Sequence, residues 1–368
     1  MIVRHQIHRL EIPCGRVIGD CACYYDRMTG LALALTDQDG RTGWGYGLVV
    51  AGGTYTRTAP WRKSLPDEDA LRATFAADYW PWLENTDAAI ALNRARVRAA
   101  SYSPFNSALE QALWDLQARE RNLPLHRFLG GDGQRTRIRA YGSPLDFHLT
   151  DDESIAAHKK IVAQGFTAVK VKVGHPDPQR DLNRLLKIRD AVGPTVEISV
   201  DVNEGWTCDQ AIERITLFEN HGVRLTYVED PLPLADVEGF AKLARSVPVD
   251  IAGHDYATSI SPLRRLLEVG ALRRVRVQGG LDHALACGAL AKEFGVSLIT
   301  GNTLFEHHIH VAAALPAVER IEFSDVAWNR LIAEPVVFKD GYAQVPQRPG
   351  HGFELTAEAL VTYHRAED

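Results

Sequence analysis

The sequence lacks any apolar run approaching the roughly 18 residues that cross a bilayer. Its first 30 residues show neither the basic start nor the apolar stretch of a signal peptide. It also lacks an excess of positive charge, because 41 Lys and Arg stand against 47 Asp and Glu, a net charge of −6. Nucleic acids and anionic membranes attract clustered Lys and Arg. We therefore expect a cytoplasmic protein that binds a small molecule and neither nucleic acid nor membrane.

Cysteine is also scarce. Five cysteines are an odd number and are scattered along 368 residues, which indicates reduced thiols. Cys21 and Cys23 lack the spacing of a zinc knuckle and have no second pair, so an ordinary loop is the preferred interpretation there.

A chain of this length predicts one large domain with a smaller partner. The first part has short alternating runs such as residues 30–36 and glycine turns at Asp39-Gly40 and Gly52-Gly53, which predict a small antiparallel sheet. A helix is predicted from Ser103-Pro104, where a cap residue precedes proline. Residues 1–125 are therefore predicted to form an α+β capping domain.

From about residue 136, short β-branched runs alternate with amphipathic helices, the first of which is predicted from Ser154 to Gln164. Eight such units, the last with a weak helix, predict a modified (β/α)₈ TIM-type barrel over residues 126–330. The predicted strands are 138–141, 168–173, 196–201, 225–229, 249–252, 274–278, 296–300 and 320–323. A doubly wound sheet alternates in the same way, but no Gly-rich phosphate loop follows the first strand. Residues 331–368 are predicted to return to the cap.

Three carboxylates follow successive predicted strands. Asp201, Glu229 and Asp255 are 28 and 26 residues apart, so each belongs to the next unit of the barrel. Strand ends converge on one mouth in such a fold, and three oxygen ligands suit a hard cation such as Mg²⁺. Surface acids that cap the following helices are the alternative interpretation.

Two lysines lie together on an earlier strand. Lys170 and Lys172 flank Val171, so both side chains leave the same face of the strand, toward the barrel mouth. Adjacent ammonium groups lower each other's pKa, so we expect one lysine to be neutral and able to accept a proton. A solvated edge strand is the alternative interpretation.

These motifs resemble the mandelate racemase branch of the enolase superfamily over nearly the whole chain. The segments that carry the resemblance are 112–116 with Pro124-Leu125 and 129–131, Val169-Lys-Val-Lys-Val173, Asp201-Val-Asn203, Val228-Glu-Asp-Pro231, and Ile251-Ala-Gly253 running into Asp255. The resemblance implies a magnesium-dependent enzyme that abstracts the proton α to a carboxylate through an enediolate. It also implies a homo-oligomer, from dimer to octamer.

The resemblance assigns roles to individual residues. It makes Lys172 the base and Lys170 its partner on the substrate carboxylate. It makes Asp201, Glu229 and Asp255 the Mg²⁺ ligands. His254 adjoins the third ligand, but aligning Leu266-Leu267 with the family's next helix favours Asp255. Glu322 resembles the family's acid that hydrogen-bonds the substrate carboxylate. A purely structural role for Glu322 is the alternative interpretation.

One family feature is missing from the sequence. Many relatives pair a histidine at the end of the seventh strand with an aspartate at the end of the sixth. Here the sixth strand ends at Gln278 and runs into Gly279-Gly280, while Asn302 or Thr303 stands where the histidine would be. Racemisation by that pair is therefore disfavoured.

We accordingly predict dehydration of a sugar acid to a 2-keto-3-deoxy acid. The acid for the leaving hydroxyl is expected to be Lys172 itself, Tyr141 or Ser143. Substrate contacts are expected from these two first-strand residues, from Asn203, and from Tyr24 and Tyr25 in a cap loop, with residues 52–57 as a second loop. The alternatives are a racemase, epimerase or cycloisomerase of a small carboxylate, and a non-catalytic binding relative.

Overall fold

The structure is a computed structural model and describes residues 1–51, 65–98, 104–255, 257, 259–301, 307–324 and 331–364. The chain opens with a three-stranded antiparallel sheet in the order β1-β2-β3. Its strands are β1 (Ile2–Gly19), β2 (Tyr24–Asp37) and β3 (Thr42–Ala51). The predicted turn at Gly40 joins β2 and β3, whereas the predicted turn and loop at residues 52–57 lie outside the described residues.

Helices follow this sheet. They are α1 (Glu68–Asp78), α2 (Trp80–Leu83), α3 (Ala88–Arg98), α4 (Pro104–Glu120) and α5 (Leu125–Phe128). Of these, α4 packs on β2 and β3, and α1 contacts β1. The predicted helix from residue 104 is present as α4, although Ser103 is not described. α4 lies so close to β3 that a Cβ at Gly45 would fall 1.8 Å from the Ala108 carbonyl oxygen. Glycine is therefore required at this contact.

Eight parallel strands follow and close into a barrel. They are β4 (Arg137–Gly142), β5 (Ala168–Lys172), β6 (Glu197–Asp201), β7 (Leu225–Glu229), β8 (Asp250–Gly253), β9 (Arg274–Val277), β10 (Ser297–Thr300) and β11 (Val318–Phe323). Each pairs with the next, and β11 pairs with β4 through Glu322 and Tyr141. The predicted α/β fold, a modified barrel with an N-terminal cap, is confirmed.

Among the described residues, seven helices connect the barrel strands. They are α6 (Asp151–Ala163), α7 (Pro178–Val192), α8 (Cys208–Asn220), α9 (Val237–Ser246), α10 (Ile260–Glu268), α11 (Leu281–Phe294) and α12 (His308–Ala314). α6 starts three residues before the predicted Ser154, because Thr150 and Glu153 form a capping box. None of the helices within the described ranges is both long and apolar enough to cross a membrane.

Residues 325–330, where the weak eighth helix is predicted, lie outside the described residues. The described residues from 331 onward form β12 (Phe338–Lys339), β13 (Tyr342–Gln344) and α13 (Ala357–Thr362). β13 pairs antiparallel with β4, so the β12–β13 hairpin extends the barrel sheet.

Residues 331–364 also contact the N-terminal sheet. The Tyr46 hydroxyl donates to the Phe353 carbonyl, and the His351 side chain bonds the Trp44 carbonyl at 2.7 Å. The Glu11 backbone N–H donates to the Tyr363 carbonyl at 2.9 Å. These contacts join two parts of the chain that lie far apart in sequence.

Candidate active site

The candidate site is formed by side chains of the barrel strands, in which successive residues face opposite sides of the sheet. In β5, Val169 and Val171 pack in the hydrophobic core outside the barrel, so Lys170 and Lys172 point inward. Lys170 is 1% exposed at its side chain and Lys172 is 8% exposed. Ammonium groups buried to this extent require anionic partners. The neighbouring strands provide them.

Lys170 lies among three carboxylates. Its Nζ is 2.6 Å from Glu229 Oε1 and 3.2 Å from both Asp201 Oδ2 and Glu322 Oε1. Burial alone would lower the pKa of Lys170, but the carboxylates, Glu229 first, outweigh burial and raise the pKa well above its usual value. Lys170 is therefore a fixed cation in this arrangement.

Lys172 has a different environment. Its Nζ is 2.6 Å from Asp201 Oδ2 and donates to Asn203 Oδ1 at 2.8 Å. Burial, the largest effect, and the neighbouring Lys170 ammonium lower the pKa of Lys172, but the Asp201, Asp20 and Glu322 carboxylates together outweigh them and raise it. The acids around the pair thus outweigh the mutual repulsion of the two ammonium groups. The neutral lysine stays a prediction.

The predicted metal ligands meet in the same region. Arg276 Nε is 2.9 Å from Glu229 Oε1 and 3.3 Å from Asp255 Oδ1, so Lys170 and Arg276 connect Asp201, Glu229 and Asp255. Within the described ranges, no three His, Cys, Asp or Glu side chains are grouped so that they could hold a metal ion as they stand.

The donor set nevertheless fits a hard divalent cation. Among the described residues, Glu229 Oε2 and Asp230 Oδ1 are buried oxygens without a hydrogen-bond partner, and Asp255 Oδ1 has only the 3.3 Å ion pair with Arg276. The pKa of Glu229 is raised to about 7, chiefly by burial. Arg276 and Lys170 lower this pKa, whereas the Asp201 and Asp255 carboxylates raise it further. Buried, mutually repelling carboxylates with unused oxygens are what Mg²⁺ satisfies.

The other predicted site residues are placed as follows. Tyr141 lies in the barrel with its ring 5.5 Å from Lys170 Nζ, and the Ser143 side chain is buried at the end of β4. Tyr24 is 41% exposed and packs edge-on against His148, while Tyr25 packs against the hydrophobic core. Asn302 and Thr303 lie outside the described residues.

The cap loop after β1 contacts the barrel mouth. Cys21 Sγ donates to the Val202 carbonyl at 3.1 Å, next to Asn203 in sequence. A Cβ at Gly174 or Gly205 would fall within 2.9 Å of this sulfur. Two glycines of the barrel loops thus admit Cys21, and no metal is needed to explain this loop.

Arg276 was not predicted from the sequence as a site residue. Arg274-Val-Arg-Val277 has the alternation of an ordinary strand, so its charged face was not assigned to the barrel interior. The alternation of side chains along the strand was a usable signal. Arg276 lies two residues before the predicted strand end at Gln278, so both side chains leave the same face of the strand. Gly301, which accommodates the guanidinium of Arg276, was missed for the same reason.

Comparison with known proteins gives consistent matches. The family model described as "Enolase C-terminal domain-like" matches residues 153–359. The model of the "Mandelate racemase / muconate lactonizing enzyme, N-terminal domain" matches residues 27–130. The 3,6-anhydro-alpha-L-galactonate cycloisomerase of Streptomyces coelicolor is 27% identical over 97% of each chain. The L-talarate/galactarate dehydratase of Salmonella typhimurium is 30% identical over 69% of this chain and 63% of its own.

Solved structures agree with these matches. A racemase from Streptomyces coelicolor A3(2), crystallised with bound magnesium, has a TM-score of 0.84 and is 25% identical. The match covers 99% of this chain and 100% of that one. On these grounds the chain belongs to the enolase superfamily, in its mandelate racemase and muconate lactonizing enzyme branch.

Proposed function

We propose that this enzyme removes the proton α to the carboxylate of a sugar acid and then expels the β-hydroxyl, giving a 2-keto-3-deoxy acid. The observation that carries this proposal is the contrast between the two lysines. Lys170 is enclosed by Glu229, Asp201 and Glu322, whereas Lys172 is the more exposed of the pair. Lys172 is therefore the amine that a substrate in the mouth can reach.

Lys172, Asn203 and Lys170 have separate roles in the proposed reaction. Lys172 accepts the α-proton, and Asn203 orients its Nζ through the 2.8 Å hydrogen bond. The Lys170 ammonium faces the negative charge that develops on the substrate carboxylate in the enediolate. Bound Mg²⁺ would be held by Asp201, Glu229 and Asp255 and would stabilise that charge. It would also engage Asp201, the carboxylate that contributes most to raising the pKa of Lys172.

Loss of the hydroxyl requires an acid. Lys172 carries the abstracted proton and can return it to the leaving oxygen. Tyr141 and Ser143 are the other candidates, because their hydroxyls are buried and lack a hydrogen bond among the described residues. Burial raises the pKa of Tyr141 well above its usual value, so this phenol keeps its proton.

A cycloisomerase is the second candidate function. The Streptomyces cycloisomerase matches 97% of this chain, whereas the Salmonella dehydratase matches 69%. Both reactions begin with abstraction of the same kind of proton, so the assigned base serves either one. The fate of the enediolate distinguishes them.

A substrate screen tests the proposal. Purified enzyme with Mg²⁺ is incubated with a panel of sugar acids and anhydro sugar acids in D₂O, and products are followed by NMR and by a 2-keto acid assay. Dehydration predicts a 2-keto acid that has lost one water relative to its substrate, whereas ring opening of an anhydro acid gives an isomer of the substrate. Deuterium uptake without a 2-keto product points to an epimerase, and ring opening or closure to a cycloisomerase.

Lys172→Met identifies the base. We expect deuterium uptake and turnover to fall about 1,000-fold or more, within the range that general bases contribute. Lys187→Met is the matched control, because Lys187 is an exposed lysine that pairs with Asp151 outside the barrel. Equal turnover in Lys172→Met and the wild type would refute the base assignment. Binding without any turnover of the panel would favour a non-catalytic relative.

Several expectations stay predictions. They are the division at residues 125 and 330, the cytoplasmic location and the homo-oligomeric state. Limited proteolysis, fractionation of the native cell and light scattering of the purified protein test them in turn.

A further inference from the structure

Arg276 is a buried arginine inside the barrel, on the strand where the sequence showed no catalytic group. It is the third residue of β9, and its side chain is 3% exposed. Its Nε lies 2.9 Å from Glu229 Oε1, its Nη2 lies 2.7 Å from Glu322 Oε2, and its Nη1 donates to the Val277 carbonyl at 3.2 Å. Each nitrogen of the guanidinium has a protein partner.

Arg276 completes a closed ring of four charges, which we call the charge ring: Lys170, Glu229, Arg276 and Glu322. Glu229 Oε1 contacts both cations, at 2.6 Å from Lys170 and 2.9 Å from Arg276. Glu322 contacts both through different oxygens, at 3.2 Å and 2.7 Å. Every member is held from two sides, so the ring fixes the orientation of all four groups.

The fold leaves specific room for this guanidinium. A Cβ at Gly301, directly after β10, would fall 2.2 Å from Arg276 Nη1 and 2.9 Å from Nη2. Any side chain at this position would displace Arg276. The glycine and the arginine therefore form a matched pair on neighbouring strands.

We infer that Arg276 is a positioning residue that closes the charge ring, holding Lys170 and Glu322 in place for proton abstraction and opposing the binding of Mg²⁺ at Glu229 and Asp255. The turnover part rests on the proposed function, whereas the metal part does not. Because both oxygens of Glu322 contact cations of the ring, this acid positions the site and does not bind the substrate directly.

The opposition to Mg²⁺ follows from charge. Arg276 Nε is 3.3 Å from Asp255 Oδ1 as well as 2.9 Å from Glu229 Oε1, so it contacts two of the three predicted ligands. A fixed positive charge in a poorly screened interior raises the free energy of a second cation nearby. Removing Arg276 makes the site more negative by one unit, which favours divalent metal.

The first test is Arg276→Met. Calorimetry with Mg²⁺ alone is expected to show binding about tenfold tighter or more, because one opposing charge is gone. At saturating Mg²⁺, kcat is expected to fall about 100-fold, as for a misplaced catalytic group, with a smaller change in KM. Arg276→Lys keeps the charge but cannot bridge two carboxylates in a planar fork. Its Mg²⁺ affinity should stay within about threefold of the wild type, with part of kcat restored.

Gly301→Ala tests the position of the Arg276 guanidinium separately from its charge. It displaces the guanidinium without removing it, and the obstructing atoms belong to the far end of a flexible side chain. We expect a reduced kcat with Mg²⁺ affinity nearly unchanged. Gly288→Ala is the matched control, since its Cβ would meet the tip of Leu315, outside the charge ring, at 2.4 Å. Arg320→Met is the control for a buried arginine, because Arg320 pairs with Glu197 and Glu319.

The outcomes are decisive in each case. Tighter Mg²⁺ binding in Arg276→Met but not in Arg320→Met supports the inference, even if no tested acid is turned over. Mg²⁺ affinity within twofold of the wild type in a natively folded Arg276→Met, judged by circular dichroism, overturns it. Wild-type kcat in both Arg276→Met and Gly301→Ala overturns the positioning role and leaves the proposed base untouched.

Discussion

At the scale of single residues, the acids of this site differ although they lie close together. The Lys172 and Lys170 ammonium groups outweigh burial and hold the pKa of Asp201 well below its usual range. Glu229 has the opposite shift, because its burial exceeds the effect of Arg276 and Lys170. Asp201 is therefore the anion that neutralises the base, and Glu229 is the acid with an oxygen to spare.

Glu229→Gln is predicted to weaken Mg²⁺ binding by about tenfold or more, because a carboxylate ligand becomes a neutral amide. Isothermal titration of the metal-free protein with MgCl₂ measures this. Glu238→Gln changes an exposed glutamate in the first turn of α9 and should leave the affinity as it is. Equal affinities in the two variants would remove Glu229 from the metal site.

The sequence predicted these residues unequally, for physical reasons. Lys170, Lys172 and the carboxylates that follow β6 and β7 could be found because strand ends in a barrel meet at one mouth. Arg276 could not be recognised in the same way. The alternation of β9 could have indicated that Arg276 points inward, but its ionic contacts and the space left by Gly301 depend on packed neighbours rather than on the local sequence.

At the scale of elements, the start of α6 was predicted late because its cap lies outside the apolar pattern. The Glu153 N–H donates to Thr150 Oγ1 at 3.3 Å, and the Glu153 carboxylate accepts from the Thr150 N–H at 2.8 Å. The apolar periodicity alone favoured Ser154 as the first helical residue. A Thr-x-x-Glu pattern was the available signal.

Thr150→Ala is predicted to destabilise the protein by about 1 kcal/mol, since it removes the acceptor for an N–H of the first turn. Urea unfolding followed by circular dichroism measures the free energy of unfolding. Lys159→Ala, an exposed substitution within the same helix, serves as the control and should change it little. A loss in the control as large as that in Thr150→Ala would show that the cap is not responsible.

The contact between α4 and α11 is predicted to depend on pH. Glu110 accepts a hydrogen bond from the Asp282 backbone N–H at the start of α11. Burial and the Asp282 carboxylate raise the pKa of Glu110 from 4.5 to about 8, although Arg96 lowers it. Between these values the unfolded chain releases the proton and the folded chain keeps it. The stabilisation is therefore complete below pH 4.5 and is lost as the pH rises through 8.

Glu110→Gln keeps the acceptor and removes the charge. We expect it to match the wild type near pH 4.5 and to be more stable near pH 8.5, by about 1 kcal/mol. Thermal unfolding at the two pH values measures the difference. Glu213→Gln, on the exposed face of α8, should show no such divergence. A constant difference across the pH range would argue against titration of Glu110.

At the scale of the whole molecule, the two ends of the barrel have different roles. The charge ring and the acids lie toward the carboxyl ends of the strands. Near the amino ends, a second ionic network links the strands, in which Glu197 pairs with Arg139 at 2.6 Å and with Arg320 at 2.9 Å. Arg274 continues the network to Glu319 at 3.1 Å. This end holds the barrel closed.

Glu197→Gln is predicted to cost about 1–3 kcal/mol of stability, because Arg320 is left buried without a full counter-charge. Turnover and Mg²⁺ affinity should stay near wild-type values at temperatures where the variant is folded. Chemical unfolding and steady-state kinetics on the same preparation measure both. A selective loss of kcat with unchanged stability would contradict this division between the two ends.

The contacts between the first strands and the last described residues have a consequence for biosynthesis. Leu10 pairs with His364, and Tyr46 reaches Phe353 across 307 positions of sequence. The N-terminal sheet is translated before these partners and obtains them only after the intervening residues have left the ribosome. Non-local pairings of this kind slow folding and expose strands to aggregation in the meantime. Nascent chains stalled before residue 351 should therefore depend on chaperones, while the released chain completes its own cap.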